Sequence, residues 1–369
     1  MATTFKELNP ADITSTRTLL HEAIPVTGTI ISGTYADNNI KTFAHGMFQS
    51  VYDYPYLSSS ANHIFDITAG FSTGSTSMSA SAAAGAGVQI SKKVNIYNQM
   101  AQVLVGFDEQ GRVRRFDQDG NLFEGTKIDD AFFVNFARLL SKDEIKKGSF
   151  QMSVYTGSTP ENPGFEVTIY DANSTKYLVN SPAGEYTLLH SSSTPLADEV
   201  PCGLLYYQAG VVVLTASIFT PTFQKTGSVP AQWPDLPVNY WGSVGGGVHG
   251  SATTAMSISG AFSGSTIDNI AGGLRNRIKN IQFNNTTELN STIYFCRVNH
   301  GEFNYSSNPT YLSESTIRVK EVADDIPISY VTKVGLYSSD GELCAIGALS
   351  EPLRKDSNNE FTIRVRLDY

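Results

Sequence analysis

Charge is scarce in this chain. Asp, Glu, Lys and Arg together make up 17% of its 369 residues, which disfavours long solvent-facing helices laced with ion pairs. Cysteine is scarcer: Cys202, Cys296 and Cys344 are odd in number, far apart and set among apolar neighbours. That excludes a disulfide framework and zinc-ligand spacing, and predicts buried reduced thiols in a protein assembled in a reducing cytoplasm. Positive charge is in deficit, with a net charge of -9. No global field is available to hold a phosphate backbone or an anionic membrane, which argues against nucleic acid and membrane partners. No uninterrupted apolar run approaches ~18 residues, and Met1 to Pro10 lacks the basic and apolar regions of a signal peptide. The chain is expected neither to span a membrane nor to be exported by that route.

Motifs that carry chemistry are also missing. His21, His45, His63, His190, His249 and His300 are scattered, with no H-E-x-x-H and no second ligand at helical spacing. There is no nucleophile elbow, Walker loop or dinucleotide-binding glycine pattern. Gly85 to Gly87 and Gly245 to Gly247 have no Lys-Ser/Thr behind them to complete a phosphate cradle. Asp117, Asp119, Asn121 and Glu124 resemble a calcium loop, but the spacing is not that of an EF-hand and a solvated turn is the better reading. The basic run Arg275, Arg277 and Lys279 reads as the cationic end of a short helix rather than a nucleic-acid contact. No catalytic residue, metal ligand or cofactor site is assigned.

What the chain does have is glycine (31 residues), tyrosine (18) and phenylalanine (20), a mixture that favours strands and turns. The fold class read from it is α+β, predominantly β. A mixed N-terminal part (residues 1–90) contains a Gly/Ser/Ala-rich segment at 70–87, readable as a flexible linker or as a place where another backbone approaches closely. A central α+β domain (residues 91–280) opens with an amphipathic helix behind Ser91, carrying Val94, Ile96, Tyr97, Met100, Ala101, Leu104 and Val105. A strand follows at Arg112 to Phe116. A second amphipathic helix is read from Ile128 to Lys147, with Phe132, Phe133, Phe136, Leu139, Leu140 and Ile145 on one stripe and Gly148 as its stop. Period-two strands come next, then a buried hairpin split by Gln208-Ala209-Gly210, then a Gly/Pro/Ser-rich loop at 221–264 that is longer than an ordinary connection. A short helix is expected over Thr266 to Lys279. Residues 281–369 read as a C-terminal antiparallel β-domain with strands at Thr292–Val298, Thr316–Glu321, Tyr330–Tyr337, Glu342–Leu349 and Phe361–Leu367. Asp340-Gly341 supplies a hairpin turn. The last strand is expected within the sheet, Ile363, Val365 and Leu367 inward and Arg364 and Arg366 outward.

Several of these stretches resemble segments of virion structural proteins from large, contractile-tailed (myovirus-type) bacteriophages. They are KVNIYNQMAQVLV (93–105), ARLLSKDEIKKGSF (137–150), GLLYYQAGVVVLTASIF (203–219), EFNYSSNPTY (302–311) and the ending VTKVGLYSSDGELCAIGALSEPLRK with RVRLDY. The resemblance implies a particle component without a catalytic site, in the tail baseplate, then the neck or collar, then the head surface in order of preference. Its expected location is the virion, assembled in the host bacterial cytoplasm. Its expected partners are other virion structural proteins and copies of itself, as a homo-oligomer. The alternative reading is a carbohydrate-binding module attached to a tail fibre, motivated by Trp233, Tyr240 and Trp241 in the long polar loop. Candidate interface residues are these three aromatics, Arg364 and Arg366, and the segment Phe303, Tyr305, Asn308, Pro309 and Tyr311. There Asn308-Pro309 enforces a turn between aromatics, either as an interface anchor or as a hairpin corner packed on its own module.

Overall fold

The computed structural model describes residues 5–29, 37–78, 89–121, 124–155, 166–171, 177–192, 200–219, 258–305, 312–313, 316–317, 324 and 326–369. Its strands are β1 (Ile13–Ile24), β2 (Ile40–Thr42), β3 (Gln49–Tyr52), β4 (His63–Phe71), β5 (Phe116–Asp117), β6 (Lys127–Ile128), β7 (Asp130–Phe136), β8 (Glu144–Ile145), β9 (Gln151–Tyr155) and β10 (Glu166–Tyr170). They continue as β11 (Val179–Ser181), β12 (Gly184–Ser192), β13 (Val200–Tyr206), β14 (Val211–Thr215), β15 (Ile278–Val298), β16 (Leu312–Ser313), β17 (Thr316–Ile317), β18 (Ile328–Tyr337), β19 (Leu343–Asp356) and β20 (Phe361–Asp368). The helices are α1 (Ile90–Leu104), α2 (Arg138–Ser141), α3 (Ile258–Gly264) and α4 (Ile267–Arg275). The chain thus has the α+β, mainly β character that its composition implies. It divides into two compact units, one made of Leu20–Thr287 and one of Met1–Leu19 with Glu288–Tyr369, so the C-terminal module takes in the N-terminal segment as well.

The larger unit is built on an antiparallel sheet in the order β15-β9-β10-β12-β13-β14-β7-β4-β3-β2. Alternate residues of its central strands enter two separate apolar clusters. Phe132, Val134, Leu205, Val212 and Leu214 belong to one, with Phe262, Ile270 and Leu274 of the helices α3 and α4. Ala131, Phe133, Leu204, Val211 and Val213 belong to the other, with Ile96, Tyr97, Ala101 and Leu104 of α1. A strand covered on both faces reads as a continuous apolar run.

That two-sided burial corrects the helix expected from Ile128 to Lys147. The segment is the strand β7, the one-turn helix α2 and the short strand β8. Its phenylalanines fall at spacings that also suit a helix, because a run such as Ala131 to Val134, apolar at every position, contains every period. Gly148 is not a helix stop; it sits at φ 77° in a turn, its N–H donating to the buried Asp171 carboxylate at 2.7 Å. The strand expected at Arg112–Phe116 is shifted to β5, which pairs with β6 across the Asp119-Gly120 turn. The hairpin around Gln208-Ala209-Gly210 is present as β13 and β14. The helix expected over Thr266–Lys279 is α4, capped by the Thr266 hydroxyl, which accepts from the Asn269 N–H at 3.2 Å.

At Gly70, the first residue of the Gly/Ser/Ala-rich segment, two backbones come together. A Cβ there would lie 2.6 Å from the Lys93 carbonyl and 2.9 Å from the Tyr97 nitrogen, so α1 rests directly on β4. Lys93, on the first turn of α1, is fully buried, and its Nζ donates to the carbonyls of Phe262 (2.5 Å) and Ser265 (2.6 Å). Residues 79–88 and 220–257, which include half of the small-residue segment and most of the long loop, lie outside the described residues.

In the smaller unit β20 pairs with β15 over eight residues, Ser291↔Asp368 to Val298↔Phe361. β20 thus belongs to the sheet, as expected; because β15 has β1 on its other side, its place there is an edge among the described residues. The sequence pattern fixes which way each side chain of β20 points but not whether a further strand follows. Its alternation holds, with Ile363, Val365 and Leu367 half-buried and Arg364 and Arg366 exposed. The Asp340-Gly341 turn joins β18 and β19 into a separate two-stranded sheet, Gly341 at φ 79°. Of the expected strand Thr316–Glu321 only β17 lies in the described residues.

Two outcomes test this packing. Gly70→Ala should cost about 2 kcal/mol in urea unfolding, since the methyl group can only displace backbone. Burial pushes Lys93 down to about 8, against the pull of Asp130. Between that value and the ordinary 10.5, the unfolded chain holds a proton that the native chain has released, so stability rises with pH. Wild type should gain on Lys93→Met by up to roughly 1.4 kcal/mol per pH unit across that window. Parallel stability curves for the two proteins would show that the amine stays charged.

Candidate interaction surface

The smaller unit differs from the larger in where its apolar side chains go. Both apolar clusters consist of residues of the larger unit. In the smaller unit Ile293 and Val298 alone are buried hydrophobics among the described residues, whereas Phe5, Ile13, Leu19, Tyr330, Leu343 and Ile346 are among its exposed ones.

The aromatic segment singled out from the sequence lies in this unit. Phe303 is 48% and Tyr305 56% exposed, and Phe303 has φ 57°, a left-handed conformation unusual for a bulky residue. Surrounding contacts hold that backbone. Ser329 Oγ donates to the Phe303 carbonyl, and Asn304 Nδ2 donates to the His300 carbonyl at 2.9 Å. The fully buried Lys355 donates from Nζ to Asn304 Oδ1 (2.6 Å), the Asp356 carbonyl (2.6 Å) and the His300 carbonyl (3.1 Å). Lys6 pairs with Glu302, whose carboxyl its hydrogen bond holds below the usual range. The loop is fixed while its two rings face outward. Asn308, Pro309 and Tyr311 lie outside the described residues, as do Trp233, Tyr240 and Trp241.

On β20 the two arginines are not equivalent. Arg366 Nε donates to Asp368 Oδ1 at 2.6 Å and its guanidinium to Ser291 Oγ at 3.0 Å. The Asp368 carboxyl is held low by the Ser291 hydroxyl and then by Arg366. Arg364 makes no ion pair among the described residues and is the free cation of that face.

A further patch was not anticipated. Cross-strand partners share a face, which places Lys333, Gly335, Tyr337, Leu343, Ile346 and Ala348 together on the β18–β19 hairpin, and all six are exposed. A Cβ on Gly335 would lie 2.9 Å from the Tyr337 ring and 3.3 Å from Leu343 Cδ1, so these side chains fold over the glycine. The Phe5 ring lies 4.6 Å from that of Tyr337, tilted by 46°. The opposite face carries Val334, Leu336, Ala345 and Gly347, all half-covered. The signal was present in the sequence as apolar residues at both parities beside the Asp-Gly turn, a pattern that alternation with only one apolar face does not produce.

Elsewhere, the calcium-like run is satisfied from within. Lys127 Nζ donates to Asp117 Oδ1 (2.7 Å), the Asn121 carbonyl (2.6 Å) and the Glu124 carbonyl (2.9 Å), so an ammonium stands where a cation would sit. Burial raises the Asp117 carboxyl and Lys127 opposes that shift. His63 Nε2 and Ser50 Oγ both bond Asp66 Oδ1, at 2.8 and 2.5 Å, so the hydroxyl donates its proton to the carboxylate and not to the imidazole that could activate it. Arg275 and Arg277 are buried, Arg277 stacking over the Phe219 ring at 5.7 Å, which removes both from any surface contact. Cys202 is buried, its thiol pushed well up by burial; Cys296 is half-buried; Cys344 is exposed, contrary to the buried position expected of it. Among the described residues no group of three or more His, Cys, Asp or Glu could hold a metal ion. Comparison with protein-family models, curated proteins and solved structures finds no match to the chain.

Lys355→Met should lower stability by about 2 kcal/mol, since a buried ammonium with three acceptors is replaced by a side chain that satisfies none. Hydrogen exchange should show the loss of protection concentrated at residues 299–305. Exchange confined instead to β18 and β19 would mean the lysine braces the hairpin alone.

Proposed function

We propose that this chain is a structural subunit of a bacteriophage virion, in the tail baseplate or the neck and collar. It acts through contacts with copies of itself and with other virion proteins, and it performs no catalysis. The observation that carries this reading is the uneven burial of the two units. The larger unit encloses its apolar side chains in two clusters. Among the described residues, the smaller one holds strands with open edges, an Arg364 without an ion pair and a contiguous apolar patch, features that lone soluble domains avoid and interfaces use. The segments that resemble contractile-tail virion proteins supply the particle as the setting. The same surface supports a homo-oligomer whose smaller units are covered in the assembled state.

Quantitative mass spectrometry of purified particles tests it: the chain should be present at a fixed copy number, and its absence would end the proposal. Arg364→Glu should leave the melting temperature within about 2 °C of wild type, because an exposed unpaired charge contributes little to stability. Incorporation should fall by about tenfold, as a reversed charge opposes docking against an acidic neighbour.

A further inference from the structure

The hairpin face described above can be assigned a partner. Its floor is Gly335 and Ala348, its apolar body is Tyr337, Leu343 and Ile346, and Phe5 extends it. Charge bounds it at both ends. Lys333 is exposed at the end nearer the base, and Asp340 and Glu342, also exposed, stand at the turn; none of the three makes an ion pair among the described residues. With about 3.3 Å per residue along a strand, the cation and the two acids are roughly 15 Å apart.

We propose that this face is a two-fold self-association surface, on which two copies of the chain pack hairpin against hairpin. A two-fold axis beside the Gly335–Ile346 pair exchanges the two ends of the patch. Lys333 of each copy is thereby set against Asp340 and Glu342 of the other, and the apolar middle is set against itself. A patch with one sign of charge at one end and the opposite sign at the other is self-complementary under that operation, which is what an isologous contact requires. A partner of uniform charge would leave one end repelled.

The area agrees. Phe5, Tyr337, Leu343 and Ile346 are 49%, 46%, 51% and 62% exposed, which leaves roughly 350 Å² of apolar side chain uncovered per copy if each presents 150–250 Å² in full. Doubled across the axis, that is the apolar centre of a contact in the standard range of 1,200–2,000 Å² once the charged rim is added. Tyr337 and Leu343, folded over Gly335, keep the patch low enough for two copies to meet at the ~10 Å spacing of packed sheets. A two-stranded ribbon is marginal alone in water, and the second copy supplies the layer that its exposed face lacks.

This inference rests on the proposal that the chain assembles with copies of itself, and its test separates the two. Sedimentation of the purified full chain should show a monomer–dimer equilibrium at micromolar concentration. Lys333→Glu should weaken the dimer by about tenfold, and Asp340→Lys with Glu342→Lys should do the same. The triple variant, with complementarity restored in mirror order, should recover most of the loss. Ile346→Asp should leave a monomer, with an unchanged far-ultraviolet spectrum and melting temperature confirming that the unit is folded. A wild type that stays monomeric overturns the inference. So does a dimer indifferent to these substitutions, or one weakened further by the triple variant than by either charge reversal alone. Particles that contain the chain while its dimer ignores the hairpin variants would sink this surface and leave the virion assignment standing.

Discussion

The central strands of the larger sheet have no solvent face, and most of the architecture of that unit answers to this. Strands β7, β13 and β14 send successive side chains into opposite apolar clusters, so both faces need a cover. Helix α1 provides one and the α3–α4 pair the other. The cover must also be close. At Gly70 the backbone of α1 lies where a side chain would otherwise be, which fixes the separation of helix and strand more tightly than side-chain interdigitation does. The Tyr97 hydroxyl then donates to the Ile128 carbonyl at 2.6 Å and accepts from the Phe116 N–H at 3.2 Å, linking the helix to the β5–β6 hairpin beside it.

In a chain with little charge, three lysines are used as internal braces. Lys93 holds two carbonyls at the end of α3, Lys127 closes the loop between β5 and β6, and Lys355 gathers the loop before the β18–β19 hairpin. Each ammonium meets oxygen atoms that a turning backbone leaves without partners, the same role an ordered water or a metal ion plays in other loops. An ammonium with three donors suits carbonyls that converge from different directions, and its long apolar stem can cross a core to reach them. This explains how the acidic run at residues 117–124 can look like a cation site in the sequence and yet be complete without an added ion.

Legibility from sequence followed the number of faces that each element buries. Helix α1, the β13–β14 hairpin and the Asp340-Gly341 turn were readable because each has a local signature: a one-sided stripe, a glycine between two apolar runs, or a left-handed turn position. β7 was not readable as a strand, since Phe132, Phe133 and Phe136 satisfy a helical stripe as well as a strand buried on both sides. β20 was readable in its facing but not in its place at an edge, which depends on β1 and β15, distant in sequence. Among the candidate interface residues, Phe303, Tyr305, Arg364 and Arg366 fall in the smaller unit and are exposed there. The difference between the two arginines depends on Ser291 and Asp368 and could not be seen from alternation. The hairpin face escaped notice because Tyr337 and Leu343 look like ordinary ends of core strands until the coverage of each face is known.

The smaller unit joins residues from opposite parts of the chain. β1 lies along β15, where the hydroxyls of Ser15 and Thr292 meet at 3.4 Å across a separation of 277 residues, and β20 completes the other side of β15. During synthesis the larger unit has all its residues once position 287 has left the ribosome, while the first half of β1 is still without the part of β15 that it pairs with. The smaller unit closes only when the final strand emerges. The exposed surfaces of the smaller unit therefore form only after the larger unit has the residues of a finished core.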